Sequence, residues 1–113
     1  PLIVGKSTHS PEELARAIGS LPSYVSLGPV FPTVTKPRIE IRGFDYVRHG
    51  LETLAPTGIS HVGIGGITHE NVEQVLRAGV QRVAVCAAVT GAPSATDACR
   101  RLKDRIDAFF PKG

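Results

Sequence analysis

Aromatic side chains make up only 5% of this sequence, and no apolar run approaches the ~20 residues that a membrane-spanning helix needs. The first shortage removes the stacking platforms of a nucleic-acid surface. The 13 basic residues do not replace them, because they are spread among helices, loops and the C-terminal end instead of forming one patch. With a net charge of +3, a small anionic ligand is the easier partner, and neither nucleic acid nor membrane is expected. Cysteine is scarce too. Cys86 and Cys99 have no Cys or His at metal-type spacing, so both read as free thiols in a reducing compartment, which points to the cytoplasm. No basic stretch followed by an apolar core marks a leader peptide. The chain opens on Pro1-Leu2-Ile3-Val4-Gly5, already inside an apparent strand, which predicts that its true beginning lies elsewhere. No Ser-His-Asp set and no metal constellation can be assembled. The carboxylates fall mainly in expected helices, where caps and solvated faces account for them.

What is present suits one α/β domain over residues 1–113, with 42% apolar and 20% charged residues. Leu2 to Gly5 reads as a strand buried on both faces, followed by a polar loop, Lys6 to His9. Ser10, Pro11 and Glu13 spell a capping box for a helix that turns Leu14, Ala17 and Ile18 inward. Tyr24 to Leu27 is a second strand. After it, Gly28-Pro29-Val30-Phe31-Pro32-Thr33-Val34-Thr35-Lys36 breaks the ladder and offers two hydroxyls and an ammonium within four residues. That stretch is either a polar loop or an anion site. Thr35 to Arg42 has little to bury and reads as a lid-like connection. Phe44, Val47, Leu51 and Leu54 form a helical stripe interrupted by Gly50 and ended by Pro56 and Gly58. Ser60 to Ile64 is a third strand running into Gly65-Gly66. Thr68 is the expected cap of the best-marked helix, with Val72, Val75 and Leu76 inward and Gly79 closing it. Arg82 to Cys86 is a fourth strand, and Ser94 caps a last helix lined by Ala98, Leu102, Ile106 and Phe109.

Four βα units predict a parallel sheet. A (β/α)8 barrel typically takes about 250 residues, so these units amount to half of one, with a small doubly wound sheet as the alternative. The half-barrel is preferred because polar and glycine-rich residues follow every strand, on the face where barrels gather their sites. Gly65-Gly66 there is a tight turn or an anion cradle. His9 is a helix-start hydrogen bonder or a general acid or base. His49, His61 and His69 read as structural or exposed.

Ser7-Thr8-His9, the stretch from Gly28 to Lys36, Gly63-Ile64-Gly65-Gly66-Ile67 and Val83 to Val89 resemble, in order and spacing, the C-terminal half of thiamine-phosphate synthase and its thiazole tautomerase relatives. The similarity covers nearly the whole chain. It implies strands 5 to 8 of a (β/α)8 barrel that couples hydroxymethylpyrimidine pyrophosphate to thiazole phosphate with Mg²⁺. Carried over, it assigns Ser7 and Lys36 to the pyrophosphate, and Thr33 and Thr35 to the thiazole phosphate or leaving group. Gly65 and Gly66, with the Cys86 and Ala87 backbone, would hold the thiazole phosphate. Ala87 stands where the family commonly has Ser, and Pro37 where a second lysine is frequent. The tautomerases use a histidine matching His9 and usually depart from Pro29 and Pro32, so the synthase is the closer likeness. The resemblance places the Mg²⁺ ligands and the pyrimidine-binding side chains in an N-terminal half, which another half-barrel or a second chain would supply. The chain alone is therefore expected to be inactive, and a non-catalytic anion-binding half-barrel is the third alternative.

Overall fold

Four parallel strands, each followed by a helix, are laid down in the computed structural model in the order β1-β2-β3-β4, over described residues 2–31, 43–85 and 91–110. The strands are β1 (Gly5–Thr8), β2 (Tyr24–Leu27), β3 (Ser60–Ile64) and β4 (Val83–Ala84). The helices are α1 (Pro11–Gly19), α2 (Gly43–Leu54), α3 (Val72–Arg77) and α4 (Ala95–Phe109), and a 3₁₀ turn, Ala55–Thr57, comes after α2. A doubly wound sheet reverses its strand order at a switch point. This one does not, and the order is that of consecutive units in a (β/α) barrel. Among the described residues no helix is long and apolar enough to cross a membrane.

The register decides which face of the sheet meets the helices. Lys6, Val25 and His61 lie abreast, as do Thr8, Leu27 and Gly63. Val25 and Leu27 are fully buried and pack with Leu14 and Ala17 of α1 and Tyr46 and Leu54 of α2. A second cluster joins Val47 of α2, Val72, Val75 and Leu76 of α3 and Leu102 of α4, with Val83 of β4 packed against it. Side chains alternate along a strand, so Ser7, Tyr24, Ser26, Val62, Ile64 and Ala84 are turned to the face that, among the described residues, carries no helix.

Most expected elements form where their local signals place them. Ser10 Oγ accepts the Glu13 N–H at 3.2 Å and Ser94 Oγ the Asp97 N–H at 3.2 Å, so both caps hold. Gly50 has a packing role in α2. It is buried, and a Cβ there would lie 2.7 Å from Leu27 Cδ2, so the missing side chain lets the helix sit on β2. Gly79 closes α3 at φ +110°, its N–H donating to the Leu76 carbonyl and the Val80 N–H to that of Val75.

Three expectations need correction. The first strand is Gly5–Thr8, not Leu2–Gly5, so Lys6 to Thr8 belong to the sheet and Leu2 and Ile3 are 90% and 84% exposed. The cause is the neighbour. Residues opposite Leu2 and Ile3 in this register are Leu21, at φ +52°, and Pro22, which has no N–H, so the ladder cannot begin earlier. The α3 helix begins at Val72, not just after Thr68. The Asn71 side chain accepts the Thr68 N–H at 2.8 Å, and the Thr68 hydroxyl takes the Glu70 N–H, so residues 68–71 form a turn before the helix. The last strand is Val83–Ala84 only. Arg82 precedes it, its guanidinium 3.4 Å from the His61 carbonyl, and Cys86 lies outside the described residues, as does the lid-like stretch from Thr35 to Arg42.

Candidate functional site

The parallel strands end together, and the candidate site is built from the residues at and just past their C-terminal ends. At the end of β1, Thr8 is the anchor. Its side chain is 1% exposed, Thr8 Oγ1 donates to the Ser26 carbonyl at 2.8 Å, and the Tyr46 hydroxyl of α2 donates to Thr8 Oγ1 at 2.7 Å. Burial pushes the Tyr46 phenol above its ordinary value, so it stays a hydrogen-bond donor. With Thr8 tied down toward the helices, the alternation of the strand turns Ser7 to the open face, abreast of Ser26 and Val62.

His9 comes directly after Thr8. Its backbone N–H donates to Glu13 Oε1 at 3.0 Å, and its Nδ1 lies 3.1 Å from the same oxygen. The carboxylate therefore folds back one residue further than a capping box would take it, onto His9 instead of Ser10. The same hydrogen bond holds the Glu13 carboxyl below its ordinary value. A carboxylate on Nδ1 fixes the tautomer that carries its proton there and leaves Nε2 as the acceptor, the arrangement of an oriented acid or base on a half-exposed side chain.

Gly65 and Gly66, after β3, meet the loop after β2 directly. The Val30 N–H donates to the Ile64 carbonyl at 2.9 Å and the Phe31 N–H to the Gly65 carbonyl at 3.1 Å. A Cβ on Gly65 would lie 2.6 Å from Pro29 Cα, and one on Gly66 2.9 Å from Phe31 Cβ; both residues also sit at positive φ, +110° and +67°. The glycine pair is thus required by the joint between two loops, and the Asn71 amide, donating to the Gly66 carbonyl at 3.0 Å, ties the turn to the start of α3. This joint brings the first four residues of the Gly28 to Lys36 stretch beside the glycine turn.

Ser7, His9, Gly65 and Gly66 are therefore at strand ends of one edge of the sheet, while Thr33, Thr35, Lys36, Cys86 and Ala87 lie outside the described residues. Among the described residues no group of three or more His, Cys, Asp or Glu side chains could hold a metal ion. Sequence reasoning did not single out Tyr46, or Glu13 as the partner of His9. Tyr46 precedes Val47 on the buried stripe of α2, which marks it as buried, but nothing local announces a bond to a residue 38 positions away.

The model of the thiamine monophosphate synthase family matches residues 1–89. The chain is similar to the thiamine-phosphate synthase of Deinococcus radiodurans, 44% identical over 105 residues, covering 93% of this chain and 37% of the relative. It is likewise similar to that of Thermus thermophilus, 41% identical over 104 residues, covering 92% of this chain and 50% of the relative. Among solved structures, the thiamine phosphate pyrophosphorylase from Pyrococcus furiosus superposes with a TM-score of 0.84 at 33% identity, over 96% of this chain and 50% of that one. This chain spans half or less of the length of these relatives.

Proposed function

The chain belongs to the thiamine monophosphate synthase family, and from that premise we propose that it is the phosphate-holding half of a cytoplasmic thiamine-phosphate synthase. It would correspond to strands 5 to 8 of a (β/α)8 barrel that joins hydroxymethylpyrimidine pyrophosphate to thiazole phosphate and releases pyrophosphate. The observation that carries this reading is the joint between Gly65-Gly66 and Pro29 to Phe31, which brings two neighbouring strand ends into one continuous surface at the mouth of the sheet.

The chemistry asked of these residues is to bind phosphate oxygens and to stabilise charge on a departing pyrophosphate. Lys36 would supply the ammonium, and Ser7, Thr33 and Thr35 hydroxyl donors. The backbone of Gly65, Gly66, Cys86 and Ala87 would supply N–H groups that approach an anion without a side chain intervening. Ala87 contributes only its amide. Mg²⁺ is assigned to the complementary half on the family resemblance, and no step is written through it. Activity requires that half, which is expected to bring the pyrimidine-binding side chains.

The test is reconstitution of this chain with the N-terminal half of a family synthase, with thiamine phosphate followed by mass spectrometry. Product is expected from the mixture and not from this chain alone. Lys36→Ala is expected to lower turnover by about 100-fold or more, the usual effect of losing one stabilising donor at a developing anion. Unchanged turnover would take Lys36 out of the mechanism, and no product from a folded mixture would overturn the assignment.

The His9–Glu13 pair favours a second reading, an isomerase acting by proton transfer at His9 Nε2. His9→Ala with isomerase activity intact would exclude it.

A further inference from the structure

Among the described residues Thr8 is the only buried polar one, tyrosine aside. The positions abreast of it on the next two strands, Leu27 and Gly63, are buried and carry no polar side chain, so the packing of this layer does not call for a hydroxyl. A buried hydroxyl is unfavourable unless it is hydrogen-bonded. Thr8 gives its one proton to the Ser26 carbonyl at 2.8 Å and accepts the proton of the buried Tyr46 hydroxyl at 2.7 Å, which makes a relay from α2 through the end of β1 to β2. What the relay holds is the end of β1. Thr8 closes the ladder of that strand, and Ser7, one residue earlier, is paired with Ser26, the residue whose carbonyl receives the relay. Ser7 is exposed on the open face, so its place is set by the strand beneath it, and strand ends are where local opening is easiest.

We propose that Tyr46 is a positioning residue for the coupling reaction: acting through Thr8, it fixes the end of β1 so that the Ser7 hydroxyl stands where the pyrophosphate departs. The proposal rests on the proposed function, in which Ser7 donates to pyrophosphate oxygens, and it adds a residue that no substrate touches. Tyr46 packs on the helix side of the sheet and Ser7 is turned to the other, so the phenol acts across the strand. No bond is made or broken at the phenol, whose proton stays on its oxygen. A donor aimed at developing charge helps to the extent that its place is fixed before the reaction. Phenylalanine at this position would fill the same space in the buried cluster, so the hydroxyl alone is what its removal tests.

The test is turnover in the reconstituted mixture of this chain with the N-terminal half of a family synthase, read as thiamine phosphate by mass spectrometry, with circular dichroism to show that each variant is folded at the assay temperature. Tyr46→Phe is expected to lower kcat by about 10- to 100-fold, the scale of misplacing a reacting group by about 1 Å. Thr8→Val should lose at least as much, and Thr8→Ser, which keeps the hydroxyl, should recover most of that loss. The deciding comparison is with Ser7→Ala. If Tyr46 acts through Ser7, adding Tyr46→Phe to Ser7→Ala lowers kcat no further, whereas a merely structural loss multiplies in either background. Unchanged kcat in Tyr46→Phe overturns the proposal, as does a loss of the same size with and without the Ser7 hydroxyl; in both cases the unmodified mixture still makes product and the functional reading stands. No product from the unmodified mixture overturns that reading, and Tyr46 then has no reaction to serve.

Discussion

Single side chains at opposite ends of the sheet set two measurable properties. At the C-terminal end, Thr8 lies between the Tyr46 hydroxyl and the Ser26 carbonyl, beside a buried cluster that includes Tyr46. Removing the outer donor with Tyr46→Phe leaves Thr8 bonded to Ser26 and should cost about 1 kcal/mol, the usual net value of one hydrogen bond. Thr8→Val also strands the buried phenol without a partner, and unpaired buried groups cost about 1–3 kcal/mol, so the second variant should be the less stable in urea titrations. At the other end, His61 Nε2 accepts the Gln81 N–H at 3.0 Å, an acceptor role open only to neutral imidazole. Burial, and then the Arg82 guanidinium, hold the His61 imidazole below its ordinary value of 6.5. The unfolded chain then binds more protons than the folded one below that pH, so the contribution of His61 is complete above 6.5 and declines as pH falls toward the folded value. The melting temperature should drop on going from neutral to mildly acidic buffer. His61→Gln, which keeps an acceptor but does not titrate, should flatten that drop, and parallel profiles would show that the pH dependence arises elsewhere.

Elements in this chain differ in how far they are written locally, and two glycines show the contrast. Gly19 ends α1 with nothing within 4 Å of the place a Cβ would take and no positive φ, so Gly19→Ala should raise stability by about 0.5–1 kcal/mol through helix propensity. Gly65 is at φ +110° against Pro29, so Gly65→Ala should destabilise by about 1–3 kcal/mol from strain alone, with the clash added. Thermal unfolding of the pair would give opposite signs. The same division explains what the sequence made legible. Both Ser-capped helices, β2 and the buried stripe of α2 depend on neighbours a few residues away, and they form where expected. The start of β1 is not legible, because it depends on Leu21 and Pro22 across the sheet. The start of α3 is hidden because the side chains of Thr68 and Asn71 close residues 68–71 into a turn ahead of the helix, a bond pattern that reads in sequence like the helix's own first turn. At the site, Ser7 is expected in the loop after the first strand and lies inside it instead, and the reason for Gly65-Gly66 is only half legible. Positive φ can be read from a glycine pair, whereas contact with Pro29 and Phe31 is set by the packing of two loops far apart in sequence.

For the molecule as a whole, strand order decides what neither composition nor single motifs could. Among the described residues, sequential order with helices on one face leaves two strands, β1 and β4, that differ from β2 and β3 in having one neighbour instead of two. Any partner that completes a barrel must pair with both edges at once, and any partner that docks on the helices pairs with neither. Amide hydrogen exchange separates these outcomes. In the chain by itself, the β1 amides of Lys6 and Thr8 and the β4 amides of Val83 and Ala84 include groups that face an open edge and should exchange faster than those of Val25, Leu27 and Val62 in the middle of the sheet. When a complementary half-barrel is added, protection should rise at both edges together and change little in β2 and β3. Protection gained at one edge alone would describe an open sheet extended by another chain, and protection confined to α2, α3 or α4 would describe association through the helices. Either result would contradict a barrel as the complete form of this molecule.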